Sequence, residues 1–188
     1  MSSLRDRVED VRRRVERAAE RAHRLPSEVR IVAVSKTVAP SVIAEAYALG
    51  LREFGENRVQ EFRWKRQVLD SAGLVPEARW HLVGHLQSNK ARLAVGLFDI
   101  IQAAAGDLAG LPNLDVQGLM TIAPLGLGRD ELRAVFRRLR EQRDRLAARH
   151  PWTTWHHLSM GMSDDFELAI EEGATVVRVG RAVFGERL

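Results

Sequence analysis

The feature that most constrains this chain is a grammar in which short apolar segments alternate with helix-patterned ones. The run Ile31-Val32-Ala33-Val34-Ser35 reads as a strand, followed by a helix from Pro40 or Ser41 to Leu49 that Gly50 closes. A short strand at Arg52-Glu53-Phe54 leads through Gly55 to a helix over 57–71, and a strand over 79–83 leads to a helix over 87–96. Strands over 98–102 and 115–122 follow, then a long helix over 129–149. Last come a strand over 154–159, a helix over 164–172, a strand over 175–179 and a short closing helix. Each strand is separated from the next by a crossover, so nearly all of the seven should lie parallel. Repeated βα units make either a (β/α) barrel or a doubly wound sheet. The turn after the first strand, "VSKTVAPS", lacks the glycines of a dinucleotide fingerprint, which favours the barrel. Such barrels typically have eight strands and about 250 residues, so this α/β chain is short by one unit.

The 188 residues suit one domain, 1–188, whose first 25 residues form an extra amphipathic helix. Its stripe is Leu4, Val8, Val11, Val15, Ala18 and Ala22, and Pro26 stops it. There is no cysteine, which excludes disulfides and thiolate metal sites. The first residues carry no apolar signal-type core and no segment approaches membrane-spanning length, so a cytoplasmic protein without a membrane partner is expected. The net charge of +4 is interspersed with acids; Glu9–Arg13 and Asp10–Arg14 stand at helical i,i+4 spacing. The basic stretches read as solvated helix faces, and without interleaved aromatic residues no nucleic-acid role is expected.

The strand ends gather polar residues on one rim, where α/β folds place their chemistry: Lys36, Glu56, Asn57, His85, Gln87, Thr121, Ser159, Ser163, Arg178, Gly180 and Arg181. Lys36 ends an apolar strand; a solvated lysine is the ordinary reading, but a desolvated amine there can form a Schiff base with an aldehyde. The last two junctions, "SMGMSDD" and "VRVGRA", are glycine turns opening onto helices, the arrangement that builds phosphate cups in barrels. Ser163 would add a hydroxyl and Arg181 a charge. Arg178 alternates with Val177 and Val179, so it points into a barrel if they pack under the helices, and it then needs an acceptor: an internal carboxylate or a cofactor atom. His81 and His85 are interrupted by Gly84 and do not make a metal pair; no metal site is expected. Of the adjacent His156 and His157 one should be core, and Trp80 reads as packing.

A lysine on the first strand with a phosphate cup on the last two describes a pyridoxal 5′-phosphate site on a barrel. The ordered motifs "VAVSKT", "FGENRVQE", "WHLVGHLQSNK", "GLMTIAP", "LSMGMSDDFELAIEEGAT" and "VRVGRAVFG" closely resemble the YggS/PROSC family of pyridoxal phosphate homeostasis proteins. The resemblance implies the barrel of alanine racemase without that enzyme's second domain. It implies a Schiff base on Lys36, with Ser163 and the backbone at Gly180 and Arg181 on the phosphate. Arg178 would face the pyridine nitrogen and leave it unprotonated, a poor electron sink, and Asn57 would line the pocket. The function implied is cofactor homeostasis as a carrier or buffer without strong catalysis. Its partners would be the cofactor and recipient apo-enzymes, and the protein a monomer or weak dimer.

The alternative is a pyridoxal-phosphate racemase or lyase. A racemase needs a second base, often a tyrosine, and the only one here, Tyr47, falls within a helix. The chain departs from the family between "FDIIQ" and "GLMTIAP", where only "AAAGDLAGLPNLDVQ" stands in place of a helix, a strand and a helix. The missing unit should leave two unpaired strand edges. Arg181 also departs, since the family often has threonine there.

Overall fold

A computed structural model describes residues 2–84, 86, 90–94 (Arg92 by its backbone), 96–102, 115–152 and 154–186. Seven strands alternate with helices among these residues, as the grammar demands. The chain divides into two compact units: Met1–Arg12, Ile31–Ala103 and Val179–Leu188 form the first, and Arg13–Arg30 with Ala104–Arg178 form the second. These boundaries cut helix α1 (Leu4–Arg21), strand β1 (Arg30–Val34) and strand β7 (Val176–Val179).

In the first unit β1, β2 (Glu53–Glu56), β3 (Arg79–Leu82) and β4 (Ile100–Ile101) pair in parallel in the order β4-β3-β2-β1. The register Ala33↔Phe54↔Trp80 puts these residues on one face. That face packs under α3 (Val59–Ser71): Trp80 lies 5.3 Å from Phe54 and 4.6 Å from Phe62, centroid to centroid, and Phe62 lies 4.5 Å from Phe98. Trp80 is therefore packing, as its place in the sequence suggested. α2 (Pro40–Ala48) buries Ile43 and Ala46 in the same unit. The opposite face carries Val32, Gly55 and Val83, packed so closely that a Cβ at Gly55 would come within 3.1 Å of Val32. Paired to His81 and Leu82 of β3, β2 runs through Gly55 to Glu56 rather than stopping at Phe54. The helix expected over 87–96 is described as α4 (Ala91–Ala94), while His85 and Gln87 lie outside the described residues.

In the second unit β5 (Gly118–Met120), β6 (His157–Ser159) and β7 are parallel, through Leu119↔Leu158 and Ser159↔Val176. Arg30 opens β1 by donating to Thr175 O at 2.9 Å. α6 (Phe166–Glu171) buries Phe166, Leu168, Ala169 and Ile170, and α5 (Arg129–Arg149) buries Phe136. The edge strands are shorter than the apolar runs suggested, three residues in β5 and two in β4. Among the described residues β4 is paired only to β3, and β5 only to β6.

The basic helix faces are less solvated than their pattern implied. Arg14 makes a fork to both Glu167 carboxylate oxygens at 3.0 and 2.9 Å, and Arg21 reaches Glu171 at 2.7 Å. Arg133, Arg137 and Arg140 of α5 converge on Glu172, which is buried. α1 ends at Arg21 rather than 24: His23 takes φ +54° and Arg24 N–H returns to Ala19 O, a left-handed helix stop.

Candidate functional site

Lys36 and Asn57 stand just past the C-terminal ends of neighbouring strands. The pairing Val34↔Gly55 continues through Ser35 N–H to Gly55 O at 2.8 Å, which sets the two side by side on that edge. Alternation assigns both to the face of Val32 and Gly55, away from α3. Among the described residues no hydrogen bond or ion pair engages the half-buried Lys36 amine. Asn57 is backed by Gly84, where a Cβ would approach its own Cβ to 3.2 Å. Gly180 belongs to this unit as well, 3.4 Å from Val34 O at its would-be Cβ, and it caps α7 (Arg181–Phe184). Arg181 is exposed and pairs with Glu186 at 3.3 Å.

Lys36 sits in a turn of unusual shape. Val38 N–H closes back on Ser35 O at 3.0 Å, which puts Lys36 and Thr37 at the two central positions. Thr37 has φ +65°, the value that type II turns ask for at their third residue and that glycine ordinarily supplies. A β-branched residue there costs of order 1–3 kcal/mol and persists only where its surroundings hold it.

The holding groups lie on the helix side. Lys65 of α3 is 2% exposed, and its ammonium donates to Glu56 Oε1 at 2.8 Å, Ser35 O at 3.0 Å and Glu61 Oε1 at 3.3 Å. Ser35 Oγ adds a 2.7 Å bond to Glu56, and Glu61 accepts Thr37 N–H at 2.9 Å. Burial pushes the Glu56 carboxyl up, against the pull of Lys65 and Ser35; its Oε2 has no hydrogen-bond partner among the described residues. Glu61 is also raised by burial, but the Thr37 amide and Lys65 outweigh that and leave it lowered. Glu56 stood among the rim residues in the sequence, while Lys65, Glu61 and Ser35 did not. The available signal was Lys65 falling on the apolar stripe Val59, Phe62, Leu69 of its helix.

The second unit holds another buried cation. Arg178 is 4% exposed; its Nη1 donates to Ser159 O at 2.8 Å and Ser159 Oγ at 2.6 Å, and Nη2 donates to Thr121 O at 2.8 Å. Burial lowers its pKa to about 10, with Asp165 opposing, so it stays charged at neutral pH. Its acceptors are mainly neutral, and among the described residues none takes its Nε–H. Arg178 N–H also meets Gly161 O at 3.0 Å. Gly161 has φ +92°, and a Cβ there would stand 2.6 Å from Ala169 Cβ and 2.8 Å from Phe166 Cα, so only glycine fits this junction. Asp165 accepts Met162 N–H at 2.6 Å and thereby shapes the turn that carries the half-buried Ser163. Burial raises the Asp165 carboxyl, with Met162 N–H and Arg178 opposing and Asp164 adding.

The histidines take other places. His81 bonds Gln102 through Nδ1 at 2.9 Å, and its Nε2 stands 3.1 Å from Glu53 Oε2 without hydrogen-bond alignment. His157 is half-buried and His156 exposed. The Tyr47 ring lies in α2 under the Arg52 guanidinium, 4.0 Å from its centroid.

The profile of the alanine racemase N-terminal domain matches residues 95–188. A pyridoxal phosphate homeostasis protein of Aquifex aeolicus (strain VF5) is 38% identical over 227 residues, covering 97% of each chain. PipY of Synechococcus elongatus PCC7942 was solved without PLP and with PLP bound. It superposes with TM-scores of 0.85 and 0.84 at 34% and 35% identity, over 97% of this chain and all of that one. The parallel βα units thus belong to the barrel class of the alanine racemase N-terminal domain. Within that class, the chain belongs to the pyridoxal phosphate homeostasis protein family. An alignment of 227 positions exceeds the 188 residues here, so at least 39 positions have no counterpart in this chain. That agrees with a barrel short of one unit.

Proposed function

We propose that this protein binds pyridoxal 5′-phosphate reversibly on Lys36 and serves in cytoplasmic cofactor homeostasis, buffering the cofactor and handing it to recipient apo-enzymes. The observation that carries the reading is the Lys36 amine, presented in a held turn at a strand end and engaged by no described residue. The chemistry of the residues fits such a ligand: Lys36 brings a primary amine that no described residue engages, and Arg178 a buried guanidinium whose Nε–H no described residue accepts. The cofactor supplies an aldehyde, which condenses with an amine and releases water. Asn57 lines the pocket, Ser163 and the backbone at Gly180 and Arg181 hold phosphate, and Arg178 donates toward the ring nitrogen. Donation from a permanent cation disfavours protonation of that nitrogen, which supports a carrier over an enzyme of carbanion chemistry. The position of Tyr47 beneath Arg52, in a helix, supports the same choice.

Absorption spectra of the purified protein, with and without added pyridoxal 5′-phosphate, test this directly. A visible band should grow with cofactor, bleach on borohydride treatment and leave the reduced adduct on the Lys36 peptide by mass spectrometry. Lys36→Ala should remove band and adduct together. A protein that stays colourless at saturating cofactor, or an adduct on another lysine, would overturn the proposal.

A further inference from the structure

The backbone on both sides of Lys36 is tied to a single ion pair. Lys65 donates to the carbonyl of Ser35, the preceding residue, and Glu61 accepts the amide of Thr37, the following one. Lys65 and Glu61 then meet at 3.3 Å, one helical turn apart on α3. Lys65 is held there as well by Glu56 at 2.8 Å, so the group that braces Glu61 is itself fixed. Glu61 stands in the first turn of α3, where a carboxylate also complements the helix dipole, so it is a preorganised acceptor. Thr37 needs such an acceptor, because φ +65° is a conformation its own side chain resists.

We infer that Glu61, braced by Lys65, is a positioning residue for Lys36: it holds Thr37 in the left-handed conformation that presents the lysine amine for cofactor capture. The inference rests on the cofactor reading above, but the conformational half of it stands independently. Without the Glu61 anchor the turn relaxes toward ordinary φ, the amine samples other directions, and capture pays for reordering it.

The distinguishing experiment uses the whole protein and four chains: wild type, Glu61→Ala, Glu61→Gln, and Glu61→Ala combined with Thr37→Gly. Two quantities are read: the dissociation constant for pyridoxal 5′-phosphate by absorbance titration, and amide hydrogen exchange over residues 35–38 without cofactor. Glu61→Ala should speed exchange there and weaken binding about tenfold, the loss of one hydrogen bond to a charged acceptor. Glu61→Gln keeps an acceptor oxygen and should stay within about threefold of wild type. Thr37→Gly takes the left-handed conformation without strain, so adding it to Glu61→Ala should restore most of the affinity. A Glu61→Ala protein with wild-type exchange and affinity overturns the inference. So does faster exchange with unchanged affinity, which would reduce Glu61 to a local anchor. A wild type that takes up no cofactor while exchange responds as expected overturns the binding reading and leaves the turn-holding role in place.

Discussion

Among the described residues each unit buries one lysine or arginine, and the two are satisfied in different ways. Lys65 is enclosed by two carboxylates and a carbonyl, with every acceptor drawn from the protein. Arg178 binds two carbonyls and a hydroxyl, its nearest charged influence being Asp165. A charge matched by charge is a structural element, because removing either partner strands the other in a dry interior. A charge met by neutral dipoles keeps its full formal charge available to whatever approaches it. The first pattern fits a brace, and the second fits a ligand contact.

The largest test of this contrast is Lys65→Met, which should cost about 3–5 kcal/mol in urea unfolding, since it leaves Glu56 buried and uncompensated. Adding Glu56→Gln should recover most of that loss, because the stranded carboxylate is then gone. A single substitution costing less than 1 kcal/mol would break the contrast at its stronger end.

Arg178→Met comes next. It strips the Ser159 hydroxyl and two carbonyls of a partner but strands no opposite charge, so about 2 kcal/mol is expected from the same unfolding experiment. Cofactor affinity should fall more steeply than stability does. Equal losses of stability for Arg178→Met and Lys65→Met would mean that the neutral cage is as structural as the ionic one.

The contrast also marks what was legible in the sequence. Lys36 and Arg178 were singled out because each stands on or beside a strand, where alternation and the strand end say which way a side chain points. The turn in "SMGMSDD" was legible from its glycine at a βα junction, and Gly161 takes the positive φ of such a turn. Lys65 was not found, since a lysine within a helix reads as solvated by default. Only Glu56 and Ser35, brought in from two strands, turn it inward. The Thr37 conformation was beyond reach for the opposite reason: nothing in a threonine announces a positive φ. The fork from Arg14 to Glu167 was not legible, because only the packing of α6 brings that distant carboxylate within reach. The strand and helix order, by contrast, followed from periodicity alone.

The smallest expected effect is a difference in acid sensitivity within the Lys65 cluster. Glu61 is lowered from its ordinary value of 4.5, so its contribution to stability is present above that pH and is lost as pH falls through the folded value. Glu56 is raised by burial, so protonation favours the folded state, and its ionisation costs stability as pH rises above 4.5. The two carboxylates on one ammonium therefore titrate with opposite sign. Thermal unfolding followed below pH 4.5 should show a shallower acid limb in Glu61→Gln than in wild type. Glu56→Gln should leave that limb nearly unchanged and instead flatten the loss of stability above pH 4.5, where the folded Glu56 carboxyl holds its proton more tightly than the unfolded one. A Glu61→Gln limb identical to the wild-type one would mean that the ionised Glu61 carboxylate adds nothing to the brace at Thr37 that its neutral form does not.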